Sequence, residues 1–245
     1  RKGEPMSQAA PTIMFVHGAF AESASWNGVI SILQEHGYPT IAIANPLRGL
    51  QEDAAYARSV LESVPGPVVV AGHSYGGSVM SEAAEGLPNV KALVFVASFI
   101  LDPGESTGEL ANKFPGNLLG TVLNPVPFPL PNGGTGTDLY IQADRFNEIF
   151  AGDVAPEVAA LLAATQRPIA ASGLESKATK AAWKTIPSWS LITLQDLAVP
   201  AEAQRFMAAR AGATVVEIDA SHAVTVSRPV EVAGIIESAA RTVSA

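Results

Sequence analysis

The chain has 245 residues, 48% of them hydrophobic and 16% charged, with a net charge of -8 at pH 7 and no cysteine. That apolar content supports a substantial core and excludes a disordered chain, while the acidic balance without any Lys/Arg cluster speaks against nucleic acid and anionic membrane as partners. The missing cysteines exclude disulfides, thiolate metal sites and a cysteine nucleophile.

The length suits one domain with an insertion. No apolar stretch approaches the roughly 18 residues that span a bilayer. No secretory h-region is recognisable either, so the expectation is a cytoplasmic protein. Arg1 to Pro5, ahead of Met6, read as a leader remnant or an added segment. Residues 1–10 are therefore taken as an N-terminal tail outside the fold.

From residue 11 the chain alternates apolar runs with amphipathic stretches. Thr12 to Val16 is a continuous apolar run ending in His17-Gly18-Ala19-Phe20. Such runs suit strands buried on both faces of a parallel sheet. Ser23 or Ser25 can cap a helix whose Trp26, Val29, Ile30 and Leu33 recur at helical spacing up to Gly37. Tyr38 to Ala44 reads as a strand closed by Asn45-Pro46, and Gln51 to Ser63 as a helix broken by Pro65-Gly66. Pro67 to Ala71 is a third strand, residues 75–86 a helix, and Val90 to Ile100 a fourth strand. This β-α-β-α-β-α-β rhythm predicts a parallel, doubly wound sheet with right-handed crossovers.

Residues 103–186 break the rhythm. Phe114-Pro115-Gly116 and the Pro-rich stretch from Asn124 to Gly134 show no clean strand, whereas Phe146 to Phe150 and Ala155 to Thr165 look helical. The segment is too long for an ordinary loop, and its apolar residues favour an ordered cap over a disordered tail. Strand and helix resume with Ser188 to Gln195, a helix from Pro200 to Gly212, Ala213 to Ile218 and a last helix from about Pro229. The expected organisation is a core of residues 11–102 and 187–245, about six strands in all, with the cap inserted between.

The chemistry centres on Gly72-His73-Ser74-Tyr75-Gly76, followed by Gly77. A G-x-S-x-G pattern between a strand and a helix puts the serine on a sharp turn with its hydroxyl exposed at the strand end. The adjoining helix N-terminus favours developing negative charge. A serine nucleophile needs a base, and histidine is the usual one near neutral pH. Of four histidines, His36 ends a surface helix, His73 is expected to point away from Ser74, and His17 sits in the turn after the first strand. His222 lies just past the last strand, at the edge where doubly wound sheets build their sites.

The base in turn needs a carboxylate to set its tautomer. Asp196 ends a strand at the same edge as Ser74 and His222. Asp102, after the strand before the cap, is the rival. Asp138, Asp144 and Asp153 fall in the cap, and Asp219 is too close to His222 to reach its ring. An oxyanion needs two donors: the N–H of Tyr75 and one from the His17–Phe20 turn, Ala19 first and Phe20 second. If the cap roofs this edge, Phe128, Phe146 and Trp183 are candidates for lining a small-molecule pocket.

Taken together, His17-Gly18-Ala19, Trp26, the Gly72–Gly77 run, Asp196 and Ser221-His222 resemble an α/β-hydrolase over nearly the whole chain from Pro11, least so in the cap. Within that superfamily the chain is similar to small esterases related to plant methyl-ester hydrolases and hydroxynitrile lyases. The resemblance implies a Ser-His-Asp site under a mainly helical cap, one that needs no cofactor and no metal and acts on a small-molecule ester. The lyases typically carry Thr where this chain has Gly18 and Lys where it has Ala223, which favours ester hydrolysis. The dehalogenase and epoxide hydrolase branches use Asp at the nucleophile position, where this chain has Ser74. A perhydrolase or lyase on the same triad, and a hydrolase-derived receptor for a small ligand, are the alternatives; oligomeric state is left open.

Overall fold

The computed structural model describes residues 9–244, so the expected tail lies, as far as residue 8, outside the described residues. The first half alternates strand and helix: β1 (Thr12–Val16), α1 (Asn27–Glu35), β2 (Thr40–Ile43), α2 (Leu50–Glu62), β3 (Val68–His73), α3 (Tyr75–Ala83) and β4 (Val90–Val96). An insertion follows, holding α4 (Thr107–Ala111), β5 (Leu123–Pro129), β6 (Thr135–Ile141), α5 (Ala143–Phe150), α6 (Pro156–Ala164), β7 (Ile169–Ala170) and α7 (Ala171–Glu175). The core resumes with β8 (Ser188–Thr193), α8 (Ala201–Arg210), β9 (Thr214–Ile218), α9 (Val224–Ser227) and α10 (Pro229–Ser244).

Six of the strands form one sheet in the order β2-β1-β3-β4-β8-β9, every pair parallel. Period-two alternation sorts β1 into two layers. Ile13 and Phe15 pack with Trp26, Leu33 and Ile236 on one face, and Met14 and Val16 pack with Val70, Val79 and Phe95 on the other. Both faces are therefore buried, which is why the strands read as unbroken apolar runs. The chain steps from β1 outward to β2, then returns to place β3 on the far side of β1. That reversal is a topological switch point, and doubly wound sheets bind ligands outside the strand ends there. The strand ends at the switch lead into His17-Gly18-Ala19 and into Ser74. Among the described residues no helix is long and apolar enough to cross a membrane.

The insertion holds more helix than strand, as expected, but it also carries strands where the sequence showed no clean one. β5 and β6 form an antiparallel hairpin, extended by the short β7 into a three-stranded sheet in which β5 is an edge. Pro125, Pro127 and Pro129 recur at every second position of β5. Residues of one parity point their backbone nitrogens away from the partner strand, so an edge strand tolerates three prolines there. The same prolines mask the strand in the sequence. The two ends of the insertion are tied together where Gly104 N–H donates to Ala178 O (2.8 Å) and Ala178 N–H to Glu105 O (2.8 Å). The return segment is anchored to α3 by the buried Glu82, whose carboxylate accepts from the Thr179 and Lys180 N–H groups (3.0 and 3.1 Å).

Candidate active site

Ser74 links β3 to α3 with φ 55° and ψ -125°, a left-handed conformation that a residue bearing a side chain adopts at a cost of about 1–3 kcal/mol. The surroundings enforce it. Ser74 N–H donates to Val96 O (3.2 Å), and Ser74 O accepts from Ser98 Oγ (2.8 Å) and Gly77 N–H (3.0 Å). A Cβ on Gly76 would lie 2.1 Å from Val16 O, so the helix can start against the end of β1 only without a side chain there.

His222 follows β9 and Asp196 follows β8. Their side chains are buried, and His222 Nδ1 lies 2.7 Å from Asp196 Oδ2. An ionised carboxylate only accepts, so Nδ1 carries the proton and Nε2 is left with a lone pair. Asp196 is held from all sides: Oδ1 accepts from Ala198 N–H (2.9 Å) and Val199 N–H (2.7 Å), and Oδ2 from Thr193 Oγ1 (2.7 Å). Gln204 completes the clamp. Its Nε2 donates to Asp196 Oδ2 (3.2 Å), Thr193 Oγ1 (2.9 Å) and Val199 O (2.9 Å), and its Oε1 accepts from Thr193 N–H (3.2 Å). Sequence reasoning missed Gln204; a polar residue on the buried face of α8 was the available signal. The rival Asp102 lies at the surface, paired with Lys184 Nζ at 2.9 Å.

The other histidines have separate partners. His73 is buried and engages the loop that carries His222. Its Nε2–H donates to His222 O (2.7 Å), with the two rings 4.7 Å apart. Burial, with His222 beside it, lowers its pKa to about 3. His17 donates from Nδ1 to Gly18 O (2.8 Å) and accepts Asn45 N–H at Nε2 (3.0 Å), and burial lowers its pKa. His36 pairs with Glu237 at the surface (2.7 Å).

The cap grips the histidine loop on both sides. Ser221 N–H donates to Asp153 Oδ2 (3.2 Å) and its hydroxyl to Asp153 Oδ1, while Ala223 N–H donates to Phe150 O (3.1 Å). Asp153, set aside in the sequence as a cap residue, thus contacts the neighbour of His222.

Tyr75 is the first residue of α3, so its N–H has no partner within the helix. The His17–Phe20 turn lies against it: a Cβ on Gly18 would be 2.9 Å from Ser74 Cβ and 3.5 Å from Tyr75 N. Phe20 N–H is spent on Arg167 O (3.0 Å), which corrects the expectation of Phe20 as a second oxyanion donor. Tyr75 Oη donates to Asp53 Oδ2 (2.6 Å), fixing the ring beneath the site.

Ser74, Tyr75, Ala19 and His222 border one cavity of about 130 Å³. The cap supplies Thr107, Leu119, Leu123 and Leu174 to its walls, with Asn112 and Asn117 also bordering it. The three aromatic residues expected there are elsewhere. Phe128 lies in the hairpin under the Arg48 guanidinium, 5.0 Å from its ring centre. Trp183 donates Nε1–H to Leu101 O (2.7 Å). Phe146 borders a second cavity of about 90 Å³. Each aromatic satisfies a packing or hydrogen-bonding need that composition does not reveal.

The profile of the alpha/beta hydrolase family matches residues 13–235 of this chain. An alpha/beta hydrolase, nvfD, of Aspergillus novofumigatus is 28% identical, the match covering 94% of this chain and 96% of the relative. The putative chloroplastic methylesterase 13 of Arabidopsis thaliana is 26% identical over 79% of this chain, which spans only 48% of that relative's length. Among solved structures, polyneuridine aldehyde esterase superposes with a TM-score of 0.79 at 21% identity, covering 94% of this chain and 98% of that one. A pyrethroid hydrolase from Sphingobium faniae JZ-2 gives 0.75 at 20% identity, covering 94% and 97%. At these identities the superpositions speak for the fold.

Proposed function

Because the chain belongs to the alpha/beta hydrolase family, we propose that it is a carboxylic ester hydrolase acting on small, largely apolar esters through Ser74, His222 and Asp196. The observation that carries this reading is the buried 2.7 Å contact between His222 Nδ1 and Asp196 Oδ2, on a histidine that shares its cavity with the strained Ser74. With Nδ1 so engaged, Nε2 is the nitrogen free to take the Ser74 proton as Oγ attacks the ester carbonyl. The Tyr75 and Ala19 N–H groups stabilise the oxyanion. His222 then passes the proton to the leaving alcohol, and water, activated by the same Nε2, releases the acid from the acyl-enzyme. The esterase names among the relatives, and Gly18 and Ala223 at the two positions where lyases differ, support hydrolysis over addition or elimination.

The test is labelling with a fluorophosphonate beside a screen of aryl esters, a cyanohydrin and a peracid assay. Labelling is expected at Ser74 alone, with ester turnover dominant. The Ser74→Ala variant is expected to stay folded and lose about 10⁴- to 10⁶-fold in kcat. Ester turnover undiminished in that variant, or no ester turnover by the wild type, would overturn the reading.

A further inference from the structure

Phe20 stands between two cavities. On one side is the 130 Å³ cavity of Ser74 and His222; on the other is the second cavity, of about 90 Å³, lined by Ala24, Phe146, Phe150, Leu162, Thr165 and Val226. Phe20 borders both and is 4% exposed. Its backbone is held in the left-handed region, φ 61°, by the N–H bond to Arg167 O (3.0 Å). Its ring meets Phe150 edge-on at 6.4 Å. The partition is therefore fixed at backbone and side chain alike.

The size of the first cavity matters. Small-molecule pockets commonly span about 300–1,000 Å³. An apolar cavity of about 150 Å³ admits benzene and little more. At about 130 Å³, the space beside Ser74 takes a group of roughly six non-hydrogen atoms. A longer group can extend past Phe20 into the second cavity, or out toward solvent beside the exposed Asn112 and Gly120.

We propose that Phe20 is a specificity-determining partition that restricts one half of the ester, acid or alcohol, to about the size of benzene. The other half leaves by the Asn112 side, and the cavity behind Phe20 is the room that longer substrates lack. This rests on the ester hydrolase reading for its substrate, but the limit itself is a property of the cavities.

The experiment uses two ester series, methyl esters of straight-chain acids and acetates of straight-chain alcohols, from two to twelve carbons. Straight-chain methyl ketones, which cannot be hydrolysed, are run alongside as ligands in a thermal-shift assay. In the wild type, kcat/KM in one ester series is expected to fall at least tenfold beyond about six carbons. The ketone Tm shift should peak at a similar length. Phe20→Ala should raise the ratio of eight-carbon to four-carbon kcat/KM at least tenfold in that series and lengthen the ketone optimum. Phe20→Gly, which accepts the positive φ without strain, is the second variant should Phe20→Ala fold poorly. Leu162→Trp, which fills the second cavity, should leave the wild-type limit unchanged and cancel the gain from Phe20→Ala. No length limit in either ester series, or a folded Phe20 variant with an unchanged limit, would overturn the proposal. Absence of all ester turnover with the ketone limit and its Phe20 dependence intact would overturn only the hydrolase reading.

Discussion

His73 donates its Nε2 proton to the backbone carbonyl of His222 at 2.7 Å, and its ring lies 4.7 Å below that of His222. The residue before the nucleophile thus supports the loop that carries the base. The bond needs one proton on the His73 ring, and burial beside His222 keeps a second proton off.

The pH dependence of stability follows. With the folded pKa of His73 lowered to about 3, the unfolded chain binds a proton on falling through its ordinary value of 6.5 while the folded chain does not. Stability is fully present above about pH 6.5 and is lost as pH falls toward 3, by up to about 1.4 kcal/mol per pH unit for this one group. His73→Gln, which can keep a donor to His222 O, should show a shallower decline. Equal slopes for both proteins in denaturant titrations between pH 6.5 and 4 would count against this account. His17, also lowered by burial, adds a decline of the same sign in both proteins.

Replacing Asp196 by Asn should cost about 10⁴-fold in kcat with the fold retained, because an amide N–H facing His222 Nδ1 favours the wrong tautomer. Asp102→Asn breaks only an exposed ion pair with Lys184 and should change kcat by less than about threefold. Kinetics of the two variants side by side decide the assignment, and the reverse ordering would move the acid to the segment after β4.

Gln204→Leu removes a donor to Asp196 and leaves the Thr193 N–H and the Val199 carbonyl short of a partner. A loss of about 1–3 kcal/mol in stability is expected for such stranded groups. Since Gln204 acts through Asp196, kcat should fall roughly tenfold with KM little changed, a range typical of outer residues that orient a site. A stability loss with kcat intact would make Gln204 purely structural.

Asp153→Ala removes the cap's hold on Ser221 N–H and hydroxyl while leaving the bond from Ala223 N–H to Phe150 O. The His222 loop should exchange its amide protons faster, and kcat should drop several-fold, with Asp153→Asn retaining more activity because it keeps one acceptor. Unaltered exchange at residues 220–224 would show that the loop does not depend on the cap.

The alternation of strand and helix from Thr12 to Val96 and from Ser188 to Ser244 was legible because a doubly wound sheet buries both faces of its strands, leaving uninterrupted apolar runs. The grouping of Ser74, His222, Asp196 and Tyr75 at one edge was legible for a related reason: a sharp strand-to-helix turn demands small neighbours, and strand ends at one edge of the sheet bring distant residues together. What could not be read from local pattern is whatever depends on a partner far along the chain. The prolines of β5 concealed a strand whose edge position makes them tolerable. Phe20 lost its place as a donor to a carbonyl of Arg167. Gln204 and Asp153 gained importance through hydrogen bonds to Asp196 and Ser221, and Phe128 and Trp183 went to Arg48 and Leu101 rather than to the cavity. Local patterning specifies which elements form and what chemistry their ends carry; which donor stays free and how much room surrounds Ser74 are set by burial and hydrogen-bond partners that exist only once the chain has folded.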